Sequence, residues 1–134
     1  MRLEEQVVSL ELAKELKELG VKQESLFTWF RRYNPEHDEH DYIIELTSEF
    51  NQSGEDYSAF TVAEVGELIG CRGTTLPIYH DSYVSHLINQ RQDGTWGIGD
   101  YIGESGTEAD ARAKLLIHLI EEGIIKTNEQ GDSN

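Results

Sequence analysis

The chain has 134 residues, 37% of them apolar, with 26 Asp and Glu against 11 Lys and Arg and a formal net charge of −15. That length suits one domain around one core, and no apolar run approaches the ~18–20 residues of a membrane-spanning helix. The excess is −10 over residues 1–67 and −5 over residues 68–134, which repels nucleic-acid phosphates and anionic lipid and favours encounter with a basic partner.

The opening Met1-Arg2-Leu3-Glu4-Glu5 lacks the apolar stretch of a secretory leader, so a cytosolic protein is expected. The first predicted helix starts after Ser9, a suitable N-cap. Leu12, Leu16 and Leu19 recur at helical spacing, and Gly20 stops it. Residues 21–33 read as extended, with an aromatic, β-prone run Leu26-Phe27-Thr28-Trp29-Phe30. Asn34-Pro35 breaks that run, a second strand is expected over residues 41–46, and residues 51–56 are polar enough for a loop.

Thr61-Val62-Ala63-Glu64 is a capping box, with Phe60 and Val65 placed as a hydrophobic staple. Val62, Val65, Leu68 and Ile69 are expected to face inward, and Gly70 to end the helix. Residues 72–81, which include Pro77, read as an irregular connection. Extended runs over 83–92 and 95–102 flank Asp93-Gly94, the dipeptide of a two-residue type I′ hairpin that would set Arg91 opposite Trp96. The last helix is capped by Thr107. Ala109, Ala113, Leu116 and Ile120 form its stripe, Leu115 and Leu119 widen it, and Gly123 with Ile124 supplies a Schellman ending in which Ile124 closes on Leu119. The order α-β-β-α-β-β-α, with links short enough for hairpins, implies an α+β domain over residues 1–126 with a mostly antiparallel sheet and helices packed on it; residues 127–134 form a polar, frayed tail.

Chemistry-bearing groups are sparse. Residues 35–41, with His37 and His40 among Glu36, Asp38, Glu39 and Asp41, read either as a divalent-metal loop or as a solvated acidic loop that meets a basic partner. Trp29, Arg31 and Arg32, joined by Arg91 and Trp96, form the basic-aromatic set that could stack on and pair with a small anionic ligand; solvated arginines on a strand face are the plain alternative. His80, Asp81 and His86 beside Ser82 and Ser85 supply the parts of a hydrolase without its nucleophile elbow. Gly97, Gly99, Gly103 and Gly106 miss the dinucleotide fingerprint by one residue, leaving the helix start at Thr107 as an anion site or the glycines as packing and bulge positions. Residues 12–29 faintly echo a helix-turn-helix, against the sign of the charge. The lone Cys71, beside Arg72, excludes an internal disulfide and a Cys-based zinc site. No metal and no cofactor are expected.

Three blocks, Ser9-Leu-Glu-Leu-Ala-Lys-Glu-Leu-Lys-Glu-Leu-Gly-Val-Lys-Gln-Glu-Ser25, Tyr57-Ser-Ala-Phe-Thr-Val-Ala-Glu-Val-Gly-Glu-Leu68 and Thr107-Glu-Ala-Asp-Ala-Arg-Ala-Lys-Leu-Leu-Ile-His118, resemble a group of small phage, prophage and mobile-element proteins with no established activity. The resemblance implies a bacterial host cytosol and an accessory role in infection or lysogeny. By analogy, the chain is expected to be a non-enzymatic protein that inhibits or sequesters a host factor, defence machinery included. Its target would be a host protein with a basic surface or a small anionic signalling ligand. A small hydrolase and a phage structural or assembly component are the alternatives, and self-association into a homo-oligomer is compatible with all three.

Overall fold

The computed structural model describes residues 2–49, 52–79, 82–90, 92–94 and 96–127. In chain order these form α1 (Leu3–Gln6), α2 (Leu10–Glu18), β1 (Phe27–Asn34), β2 (Glu39–Leu46), β3 (Tyr57–Ser58), α3 (Val62–Ile69), β4 (Gly73–Tyr79), β5 (Ser82–Gln90), β6 (Trp96–Ser105) and α4 (Glu108–Glu121). Single 3-10 turns occupy Thr47–Glu49 and Gly70–Arg72. The fold is α+β, as expected. Its strands divide between two antiparallel sheets, ordered β2-β1-β3 and β4-β5-β6, where the sequence suggested one.

Helix ends follow their local chemistry. Ser9 Oγ accepts from the Leu12 amide, Thr107 Oγ1 from the Asp110 amide, and Thr61 and Glu64 close both bonds of the capping box. At the far ends Gly20 and Gly123 adopt φ of 92° and 76°. Val21 and Ile124 donate their amides back to Leu16 and Leu119, the longer bond of a Schellman ending. Ile124 itself stays half exposed, and Ile125 packs on the core instead. Leu68 also departs from its expected inward position: with Val65 and Ile69 already buried, it sits at the margin of the α3 stripe, 41% exposed.

The core is built around α4, which rests on β4, β5 and β6 and touches α1, α2 and α3. Leu115, Leu116, Leu119 and Ile120 are buried with Ala13, Leu16, Phe60, Val65 and Ile69, and Trp29 and Tyr57 pack on the cluster from the first sheet. Residues 7–9 run between these parts. Val7 bridges Thr61, the Val8 amide donates to Phe60 O (2.9 Å), Trp29 Nε1 donates to Val8 O (3.0 Å), and the Ser9 amide donates to Asp110 Oδ1 (2.7 Å).

Several expectations are corrected. Residues 73–79 form strand β4 rather than an irregular connection. Pro77 is tolerated because β4 is an edge strand and its register with β5 shifts between Pro77 and Tyr79. The β5–β6 hairpin does turn through Asp93-Gly94, but Gln90, not Arg91, lies opposite Trp96. The link therefore has five residues. Gly94 has φ of 90° while Asp93 does not take a positive φ, so the two-residue type I′ turn is not formed. Residues 21–26 are not strand: Gln23 Oε1 accepts from the Ser58 amide and Ser25 Oγ donates to Glu64, so their polar groups anchor neighbouring elements instead of a ladder. The link after β2 carries β3, which pairs with Thr28 and Trp29. At the start of the expected tail the Thr127 hydroxyl donates to Leu19 O; residues 128–134 lie outside the described residues.

A tight spot at Gly73 gives a test of the packing between β4, β5 and α4. A Cβ there would meet the Leu115 side chain and lie 2.9 Å from the backbone oxygen of His86. Neither neighbour is a flexible surface group. Gly73→Ala is expected to cost about 1–3 kcal/mol, read as a lowered denaturation midpoint. Gly54→Ala, with nothing within 4 Å, should stay within about 0.5 kcal/mol of the parent.

Candidate functional site

The hairpin β1–β2 gathers most of the residues singled out by composition. Its register is continuous from Phe27 opposite Leu46 to Asn34 opposite Glu39. Alternation along each strand then divides the side chains between two faces. Phe27, Trp29, Arg31 and Tyr33 share one face with Leu46, Ile44, Tyr42 and His40. Arg32 and Asn34 share the other with Asp41 and Glu39, together with Ile43 and Glu45 further along. Arg31 and Arg32 therefore point to opposite faces.

Each of these arginines has a carboxylate. Arg31 Nη1 lies 2.5 Å from Glu55 Oε2, and Arg32 Nε donates to Asp41 Oδ1 at 2.9 Å. Arg32, and behind it the Asn34 amide, holds the Asp41 carboxyl below its ordinary range. Trp29 directs its indole N–H inward to Val8 O. Trp96 belongs to β6 in the other sheet, and Arg91 lies outside the described residues. The structure thus brings Trp29 and Arg31 onto one face but does not join Arg32 or Trp96 to them.

The acidic residues cluster at the hairpin tip. Glu36 and Asp38 sit in the turn between β1 and β2, and Glu39 and Asp41 lie at the start of β2. Asp38 takes φ of 50° and accepts from the Tyr33 hydroxyl, which the carboxylate pushes above its usual pKa. The Glu36 amide donates to Asn34 Oδ1. His40 meets Tyr33 edge-on, with ring centroids 5.6 Å apart. Among the described residues no group of three His, Cys, Asp or Glu could hold a metal ion.

A buried carboxylate sets the flank of this hairpin, and sequence reasoning missed it. Asp56 Oδ1 accepts from the Arg31 amide (2.8 Å), while Oδ2 accepts from the Ser53 amide (2.7 Å) and hydroxyl (3.0 Å). Burial pushes its pKa up, but these donors and the nearby Lys17 outweigh burial and hold it below the ordinary value. Lys17 Nζ donates to Gly54 O and Asp56 O, and both Lys17 and Lys14 lie over the Tyr57 ring. The readable signal was Ser53 three residues before Asp56, the spacing of a side-chain-closed turn.

Other candidates resolve into structural roles. Ser85 is buried, with its hydroxyl 2.6 Å from Ala111 O and bonded to Thr75, so it is no exposed nucleophile. His86 lies beside it in β5 opposite Thr74, whereas His80 and Asp81 lie outside the described residues. Gly97, Gly99 and Gly103 fall within β6, whose register with β5 shifts twice, as the bulge reading allowed. The α4 start carries Glu108, paired with Arg112 at 2.8 Å, and Asp110, which caps Ser9; both acids oppose an anion there. Arg72 donates to Ile69 O. Residues 12–29 run from helix through coil into strand, which removes the helix-turn-helix.

A cavity of about 460 Å³ opens between Leu3, Phe27, Val62, Tyr83, Thr107 and Glu108. Its volume suits a small molecule, but Thr107 is used as a helix cap and Glu108 by Arg112. The acidic hairpin remains the more distinctive surface. The chain matches no protein-family model, no curated protein and no solved structure.

Proposed function

We propose that the protein acts by binding, without turnover of its own, and that its acidic outer surface takes a protein partner with a basic surface. The observation that carries this reading is how the cations are spent. Arg31, Arg32 and Arg112 neutralise carboxylates of the same chain, and Lys17 is committed to backbone carbonyls. The formal charge of −15 is thus left to an outer surface on which Glu36 and Glu39 are exposed. Such a field accelerates encounter with a basic surface and rejects acidic ones. An anionic small ligand is less well supported, because both arginines of the first hairpin already hold carboxylates. The accessory role in the bacterial cytosol that we propose, blocking or sequestering a host factor, rests on the sequence resemblance to phage and prophage proteins alone. No helix of the described chain is long and apolar enough to cross a membrane.

The immobilised protein should retain a basic protein from bacterial lysate at ~0.1 M salt and release it at ~1 M, where the Debye length falls from ~10 Å to ~3 Å. Neutralising Glu36, Asp38, Glu39 and Asp41 together should slow association with that protein several-fold. Capture indifferent to salt would overturn the basic partner, and multiple-turnover consumption of a captured small molecule that is lost in His80→Ala or His86→Ala would replace binding with the hydrolase reading.

A further inference from the structure

We propose that the open edge of β2 is where the basic partner docks, by adding an extended segment as a further strand to the sheet β2-β1-β3. This inference rests on the binding function proposed above and locates it. β2 is the outer strand of its sheet, and among the described residues it pairs with β1 alone.

Which backbone groups face outward follows from the ladder. The Thr47 amide donates to Leu26 O at 2.8 Å, which makes residues 26 and 47 a hydrogen-bonded pair. Pairs alternate along an antiparallel ladder. The amides and carbonyls of Glu39, Asp41, Ile43 and Glu45 therefore turn toward β1, and those of His40, Tyr42, Ile44 and Leu46 turn away from it. The other side of β1 agrees: the Phe27 carbonyl and the Arg31 amide face β3, accepting from Ala59 and donating to Asp56. The outward amides of His40, Tyr42 and Ile44 have no partner among the described residues.

Comparison with the other edges singles β2 out. β3 has two residues, β4 carries Pro77 and a register shift, and the pairing of β6 with β5 shifts twice. Irregularities of this kind blunt an edge against strand addition. β2 keeps eight residues in unbroken register with β1.

Charge selects the occupant. One face of β2 bears Glu39, Ile43 and Glu45 with Asp41, which Arg32 already pairs, and the adjoining turn bears Glu36 and Asp38. The opposite face bears Tyr42, Ile44 and Leu46, the last 42% exposed. A second copy of the chain would bring the same carboxylates against each other across the new pair, which is unfavourable. The fitting strand instead alternates Lys or Arg, over the acidic face, with apolar residues over Tyr42 and Ile44.

The probe is a blocked peptide of alternating Lys and Val, as long as β2, with a control of the same composition arranged in two blocks. On the wild-type protein the alternating peptide should slow hydrogen exchange at the amides of His40, Tyr42, Ile44 and Leu46. The His40→Pro/Ile44→Pro variant removes two outward donors without removing a bond to β1, and Kd should rise about tenfold or more. His40→Pro alone, at an exposed position, should show part of that loss. If the double variant loses its fold, the exchange pattern on the wild type decides. Equal binding of both peptides with no protection along β2, or a folded double variant with unchanged Kd, would overturn the edge site while leaving the acidic-surface function standing. No binding of either peptide at ~0.1 M salt would overturn both.

Discussion

Replacing Leu116 and Ile120 together with alanine is expected to leave little folded protein at room temperature. Both side chains are buried on α4, one turn apart, within the cluster that joins α4 to α2 and α3. Truncating a buried Leu or Ile costs about 2–5 kcal/mol, from lost transfer free energy and the cavity left behind. Two such losses approach the ~5–15 kcal/mol that hold a domain of this kind together. As the two sites are close, their losses need not add. Urea denaturation of each single variant and of the pair checks this. A double variant that melts within a few degrees of the parent would take this part of α4 out of the core.

The second large effect concerns Asp56. Asp56→Ala is expected to cost about 1–3 kcal/mol, because it leaves the partly buried amides of Arg31 and Ser53 without their acceptor. The loop 53–56 would come away from β1, and with it Glu55, the partner of Arg31. The pH dependence has a definite sign. A carboxyl whose folded pKa lies below its unfolded value, ~3.9, contributes stability that is fully present above about that pH. That contribution disappears as pH falls through the lower folded value. Urea midpoints of the parent should therefore fall between neutral pH and pH below about 4, and those of Asp56→Ala should fall less. Parallel losses in the two proteins would show that Asp56 is not the group responsible.

The α+β class, the three capped helices and the α4 stripe were legible because each depends on residues close together in the chain: Thr61 with Glu64, Ile124 with Leu119, Ala109 through Ile120. Reading was poorest where a distant partner decides. Pro77 argued for a connection, and only its edge position makes it compatible with a strand. Leu68 fitted the apolar stripe of α3 but falls at its margin. At the candidate site the Arg32–Asp41 pair could be read once the hairpin register was known. The Arg31–Glu55 pair could not, because it needs Asp56 to fold its loop against β1. The open edge of β2 is a property of strand order, which no local pattern encodes.

The short segment 7–9 ties the earliest part of this chain to its last helix, and that has a consequence for biosynthesis. Ser9 donates to Asp110 across 101 positions, so the bond cannot form until ~5–20 s after Ser9 has been made, at ordinary elongation rates. During that interval both sheets can pair by hairpins, but the seven buried residues of α4 are missing and the apolar faces they cover stand open. The nascent chain therefore completes its core in one late step. Stalled translation before residue 108 should yield a product that chaperones hold and proteases clear, rather than a smaller folded protein.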